Sequence, residues 1–124
     1  MFGISLNNKL PIYEQLIDSI TNQVLSGVLE PDAPLPSVRE LAAELTVNPN
    51  TVQKAFTELE RSGVAYSVNG KGRFVTDDVE ALKSRKIENC YKRIKPEIIE
   101  LLRYGVTVDE LTDKIKEMYK EGAR

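Results

Sequence analysis

Along most of this chain, apolar residues recur every three or four positions, the period of a helix with one buried face. Ile12, Leu16, Ile20 and Val24 form the first stripe, joined by Tyr13, Ile17 and Leu25. Pro11 opens this helix, because proline is tolerated at the first helical position. Gly27 suits its C-terminal cap, and Pro31 and Pro34 forbid continuation. Val38, Leu41, Ala42 and Leu45 form a second stripe, preceded by Ser37 and Glu40 at the spacing of a capping box. "TVNPN" then makes a turn, with Asn48 as N-cap and Pro49 as the first residue of a third helix. Val52, Ala55, Phe56 and Leu59 are its apolar stripe, and Gly63 ends it.

After Gly63 the period changes. "VAYSV" and "RFV" are short β-prone runs joined by "NGKG", and an Asn-Gly pair between such runs signals a hairpin. From Asp77 the helical period returns through Leu82, Ile87, Cys90, Tyr91, Ile94, Ile98, Leu101 and Leu102. This apolar face is broad for a lone surface helix. Pro96 interrupts it; a mid-helix proline costs about 3 kcal/mol, and a kink is expected there. Gly105 closes the segment, Thr107 and Glu110 offer another capping box, and Val108, Leu111, Ile115 and Met118 line the last helix. The fold expected is mainly α with one small β-hairpin. Residues 1–76 read as three helices, the last two a tight helix-turn-helix, followed by the hairpin. Residues 77–124 read as a short all-helical region.

The totals exclude more than they identify. A length of 124 residues suits one domain, or a small domain with an appendage. No apolar stretch approaches the roughly 18–20 residues needed to span a bilayer, and no signal peptide is expected. The single Cys90 cannot form an internal disulfide, which fits a reducing cytoplasm. With no histidine and one cysteine, neither a zinc or transition-metal site nor a cofactor is expected. The usual proton shuttle near neutral pH is missing too, and no nucleophile–base pair or phosphate loop is visible, so an enzyme is not expected. Net charge is −2: residues 1–76 hold 6 Lys/Arg against 8 Asp/Glu, and residues 77–124 hold 11 of each. Binding of nucleic acid then depends on where the few cations sit.

The third helix raises that question most directly. Opposite its apolar stripe lie Asn50, Lys54, Thr57 and Arg61, with Gln53 on the flank. Asn and Gln amides can pair with adenine in the major groove, while Lys and Thr can hold phosphates or bases. The same face also reads as a plain solvated surface. Arg39 on the second helix reads either as a surface ion-pair partner or as a DNA contact. In the hairpin tip, Lys71 and Arg73 flank a glycine, which reads as solubilising charge or as a wing approaching a phosphate. Together, Arg39, Lys54, Lys71 and Arg73 place most cations of residues 1–76 on one side.

"LPSVRELAAELTVNPNTVQKAFTELERSG" followed by "GKGRFV" resembles the winged helix-turn-helix of GntR-type bacterial transcription regulators. "PIYEQLIDSITNQVLSGVL" resembles the first helix of that family, and the short helical tail resembles its YtrA-like subfamily. The resemblance implies DNA contacts from Ser37, Arg39, Asn48, Asn50, Thr51 and Gln53, with Asn69, Gly70 and Lys71 at the wing tip. The residue reading adds Lys54 and Arg73. Thr46 departs from the family's frequent glycine in the turn, so it must adopt a left-handed conformation or shift the turn.

Two tail helices of this size cannot hide a broad apolar face alone, and a second copy would bury it. Ile87, Tyr91, Ile94, Ile98 and Leu111 are expected near that contact. Tyr91, Cys90 and Tyr104 are the alternative, as the lining of a small-molecule effector pocket. Cys90 is expected to be an inert buried thiol. The reading is a cytoplasmic, homodimeric transcription repressor on an inverted-repeat operator of double-stranded DNA, with transporter operons implied by the resemblance. The competing reading is a winged-helix protein-interaction module that does not bind DNA.

Overall fold

The apolar periods fold where they fall. The protein is described over residues 3–123 by a computed structural model, in the order α1 (Ile12–Leu25), α2 (Val38–Leu45), α3 (Pro49–Arg61), β1 (Ala65–Val68), β2 (Gly72–Val75), α4 (Val79–Arg103) and α5 (Val108–Gly122). Pro11 is the N-cap of α1 and lies one residue outside the helix, with ψ of 141°. Its extended ψ leaves Ile12 as the first helical residue.

The chain divides at Ser84 into two units. In the first, α1 contributes Leu16, Ile20 and Val24 to one core, α2 contributes Leu41 and Ala42, and α3 contributes Val52, Ala55, Phe56 and Leu59. Val64, Ala65 and Val75 cover the core from the hairpin. Leu82, from the first turn of α4, is buried there as well. This corrects its placing on the tail's apolar face.

Local chemistry fixes the helix ends. Ser37 Oγ accepts the Glu40 N–H at 3.1 Å, and Glu40 Oε1 accepts the Ser37 N–H at 3.1 Å. Asn48 Oδ1 accepts the Asn50 N–H at 2.8 Å, with Pro49 at the first helical position of α3. Thr46 adopts the left-handed conformation at the end of α2, with φ of 56°.

The hairpin is antiparallel, with Ser67 opposite Arg73 and Val68 opposite Gly72. The Lys71 N–H donates to the Val68 carbonyl at 3.0 Å to close the turn. Gly70 takes φ of 76° there, a value that carries little penalty without a Cβ. The α1–α2 connection runs along the other edge of β2. Val75 N–H donates to Ala33 O at 2.8 Å, and Leu35 N–H donates to Arg73 O at 2.9 Å. The base of the hairpin is thereby fixed to the entry of α2.

The second unit, from Arg85 onward, is the remainder of α4 with α5. The expected interruption at Pro96 is not a break, because α4 runs through it without an end. Thr107 and Glu110 form the second capping box. No described residue of this unit is buried. Ile87, Tyr91, Ile94 and Ile98 are exposed along α4, and Leu111 is half-buried on α5. Cys90 is exposed, contrary to the expectation of a buried thiol, and its Sγ accepts from Arg93 Nη2 at 3.2 Å. The expectation failed because the stripe that carries it has no covering layer in its own unit.

Candidate nucleic-acid interface

Arg39 projects from the first turn of α2, exposed and without a carboxylate partner among the described residues. Ser37, Arg39, Lys71 and Arg73 line one cleft between the start of α2 and the hairpin. The Leu35–Arg73 backbone bond brings these two segments together. The sequence expectation put Arg39, Lys54, Lys71 and Arg73 on one side; this cleft brings Arg39, Lys71 and Arg73 together, and Lys54 lines another.

On α3, Asn50 and Gln53 are exposed and Thr51 is half-buried. Asn48 uses its side-chain oxygen as a cap, which leaves its amide nitrogen to donate. Gln53 Nε2 donates to Thr57 Oγ1 at 3.2 Å, and that hydroxyl donates to the Gln53 carbonyl at 2.9 Å. The pair holds the Gln53 amide along the helix surface. The first turns of α3 carry no carboxylate, and their free N–H groups favour an anion.

Lys54 is placed differently from the other cations. Its ammonium sits 3.9 Å from the centre of the Tyr13 ring, in a cleft lined by Tyr13, Glu14, Lys54, Thr57 and Glu58. Such a contact attracts a cation through the ring quadrupole. Arg61, which periodicity put on the outward face, is paired with Glu58. The hydrogen bond and charge of Arg61 hold the Glu58 carboxyl below its ordinary range, and Glu58 in turn raises the pKa of Arg61.

Asn69, Gly70 and Lys71 are exposed at the hairpin tip. Arg73, one pair in from the turn, is half-buried. Its Nε donates to Glu60 Oε1 at 2.9 Å, and its guanidinium carbon lies 5.2 Å from the centre of the Phe56 ring. Ser67 Oγ donates to the same Glu60 oxygen. Sequence reasoning missed Glu60, Ser67 and Tyr13. No local spacing signals them, since their partners lie 13, 7 and 41 residues away.

A helix-turn-helix followed by a short hairpin, with an exposed arginine at one helix start and amides at the next, defines a winged helix-turn-helix DNA-binding domain. The chain belongs to the gntR family of bacterial regulatory proteins, whose match covers residues 12–75. It is 37% identical over 119 residues to the HTH-type transcriptional repressor YtrA of Bacillus subtilis (strain 168), covering 95% of this chain and 92% of that protein. Among solved structures, a transcriptional regulator from Oenococcus oeni aligns with TM-score 0.75 and 34% identity, over 94% of this chain and 98% of the other. The DNA-binding domain of AraR in complex with operator ORR3 aligns with TM-score 0.52 and 33% identity, over 58% of this chain and 87% of that one. The protein is therefore a DNA-binding transcription regulator and not an enzyme. Among the described residues, no helix is long and apolar enough to cross a membrane.

Proposed function

We propose that two copies of this chain bind an inverted-repeat operator as a homodimer in the cytoplasm and repress the adjoining genes, a transporter operon among them. The observation that carries this reading is the cleft where Arg39, Lys71 and Arg73 meet. The first turn of α3, which carries no carboxylate, supports it. In a chain of net charge −2, three cations gather in this cleft, and among the described residues Arg39 and Lys71 carry no ion pair. Residues 1–76 take the DNA and residues 77–124 hold the two copies together.

In this reading the start of α3 enters the major groove. Asn50 and Gln53 meet base edges, because amides can pair bidentately there. Ser37, Asn48 and Thr51 hold phosphates through the donors left by capping, and Lys54 adds a phosphate contact from the α1 side. Arg39 reaches a base or phosphate. Asn69, Gly70 and Lys71 reach the backbone or the minor groove as the wing. Ile87, Tyr91, Ile94, Ile98 and Leu111 lie near the contact between copies, which sets the half-site spacing at about one helical turn or a multiple. That the Bacillus subtilis relative is a repressor supports repression, and the AraR complex supports an operator as target.

The test is selection of duplexes from random DNA with the full-length protein, followed by affinity at one fixed salt concentration. Arg39→Ala and Lys71→Ala are each expected to weaken binding by roughly 1–3 kcal/mol without unfolding the chain. Wild-type affinity in both variants would remove this contact face. Recovery of no sequence at all would favour a protein-interaction module.

A further inference from the structure

Arg73 has the composition of a DNA contact but the surroundings of a structural joint. Its side chain is 24% exposed, and the Glu60 carboxylate facing it is 32% exposed. Three elements converge on this residue. Its Nε donates to Glu60 on α3 at 2.9 Å, and its guanidinium lies over Phe56, a core residue of α3 with no exposed surface. Its backbone carbonyl takes the Leu35 N–H at the entry to α2. Ser67, opposite Arg73 on the hairpin, donates its hydroxyl to the same Glu60 oxygen. Both strands of the wing are therefore fastened to one carboxylate of the recognition helix.

We propose that Arg73 is a positioning residue that acts through Glu60, and that the Glu60–Arg73–Ser67 joint sets the wing, and Lys71 at its tip, relative to Asn50 and Gln53. Two arguments support this over direct contact. The positive charge of Arg73 is matched at 2.9 Å, so it releases few counterions on meeting DNA. Moving the guanidinium to a phosphate would strand Glu60 near the DNA backbone without its partner, a repulsive outcome. Glu60 is thus an acidic residue whose removal harms DNA binding, although simple electrostatics predicts that losing a carboxylate from a DNA-facing domain helps it.

The inference rests on the DNA reading above, and the test separates the two. Full-length wild type, Glu60→Ala, Arg73→Ala, the double variant and Lys71→Ala are compared on a duplex selected by the wild type. Glu60→Ala and Arg73→Ala should each lower affinity about tenfold, the scale of one charge-assisted hydrogen bond. The double variant should be no worse than the weaker single one, since both remove one joint. The salt slope should be kept in Arg73→Ala and should fall by up to about one unit in Lys71→Ala. Tighter binding by Glu60→Ala, or a slope lowered by about one in Arg73→Ala, would overturn the inference and make Arg73 a direct contact.

Amide hydrogen exchange in the free protein needs no DNA. Residues of β1 and β2 should exchange faster in Glu60→Ala and Arg73→Ala. Glu60→Gln, which keeps an acceptor and the side-chain volume, should fall between wild type and Glu60→Ala. Wild-type exchange in all three would show that the joint does not hold the wing. A wild type that selects no duplex refutes the DNA reading alone, and the exchange measurement still decides the joint.

Discussion

Val52 and Phe56 lie four residues apart on α3, and neither has exposed surface. Ile94 and Ile98 lie four residues apart on α4 and are 47% and 40% exposed. The two pairs have the same period and similar apolar area, yet opposite fates. In the first unit, stripes from α1, α2 and α3 meet the inner face of the hairpin and close over one another. In the second unit, α5 is the one other described helix, and α4 keeps its apolar face open. A period therefore states that a face is apolar and says nothing of what covers it. Burial is worth about 25 cal/mol per Å² of apolar surface, so an open stripe is a standing drive for association.

The sharpest way to break this comparison is to truncate one residue on each side of it. Phe56→Ala should destabilise the protein by about 3–5 kcal/mol, read by denaturant unfolding, and the loss should not depend on protein concentration. Ile98→Ala should shift unfolding in a concentration-dependent way, because in the proposed homodimer its cover comes from a second copy. A concentration-independent loss of equal size at Ile98 would make the tail stripe a core of its own unit.

Charge in the stripe tests the same difference through DNA. Ile94→Asp should give a folded monomer by sedimentation, since an unpaired charge is costly to bury. Binding to an inverted repeat should then fall by about 10²-fold or more, as the second site's effective concentration is lost. A variant that remained dimeric would place the contact elsewhere.

Smaller changes sharpen the comparison from the winged side. Thr46 sits at φ of 56°, where a Cβ is strained, so Thr46→Gly should stabilise the first unit by up to about 1 kcal/mol without altering association. An unchanged or lower melting point would mean that Thr46 makes a compensating contact. The least effect is expected from Glu58. Its folded pKa is lowered, chiefly by the hydrogen bond from Arg61. The stability it adds is therefore present above the unfolded carboxylate pKa and lost as pH falls through the lower folded one. Both side chains are exposed, so the acid-side loss in Arg61→Ala should differ from wild type only slightly. A difference growing toward alkaline pH would contradict the assigned pair.

Much of this molecule is written locally. The capping boxes at Ser37–Glu40 and Thr107–Glu110, and the Asn48 cap before Pro49, are satisfied by groups within three residues. The sequence therefore determined where these helices start, and Gly27, Gly63 and Gly105 mark where α1, α3 and α4 stop, while α2 ends at Thr46 and α4 passes through Pro96. Together with the family resemblance, this was enough for the fold class and for the proposal that Arg39, Asn50, Gln53 and Lys71 meet DNA. Packing decided the rest. It laid Lys54 on Tyr13, took Leu82 into the winged core, left Cys90 exposed, and joined Arg73 to Glu60, Phe56 and Leu35. Each of the contacts joins groups from different elements and holds only when they approach within a few ångströms. That distance is set by how whole faces close over one core, and a periodic pattern specifies the face but not its partner.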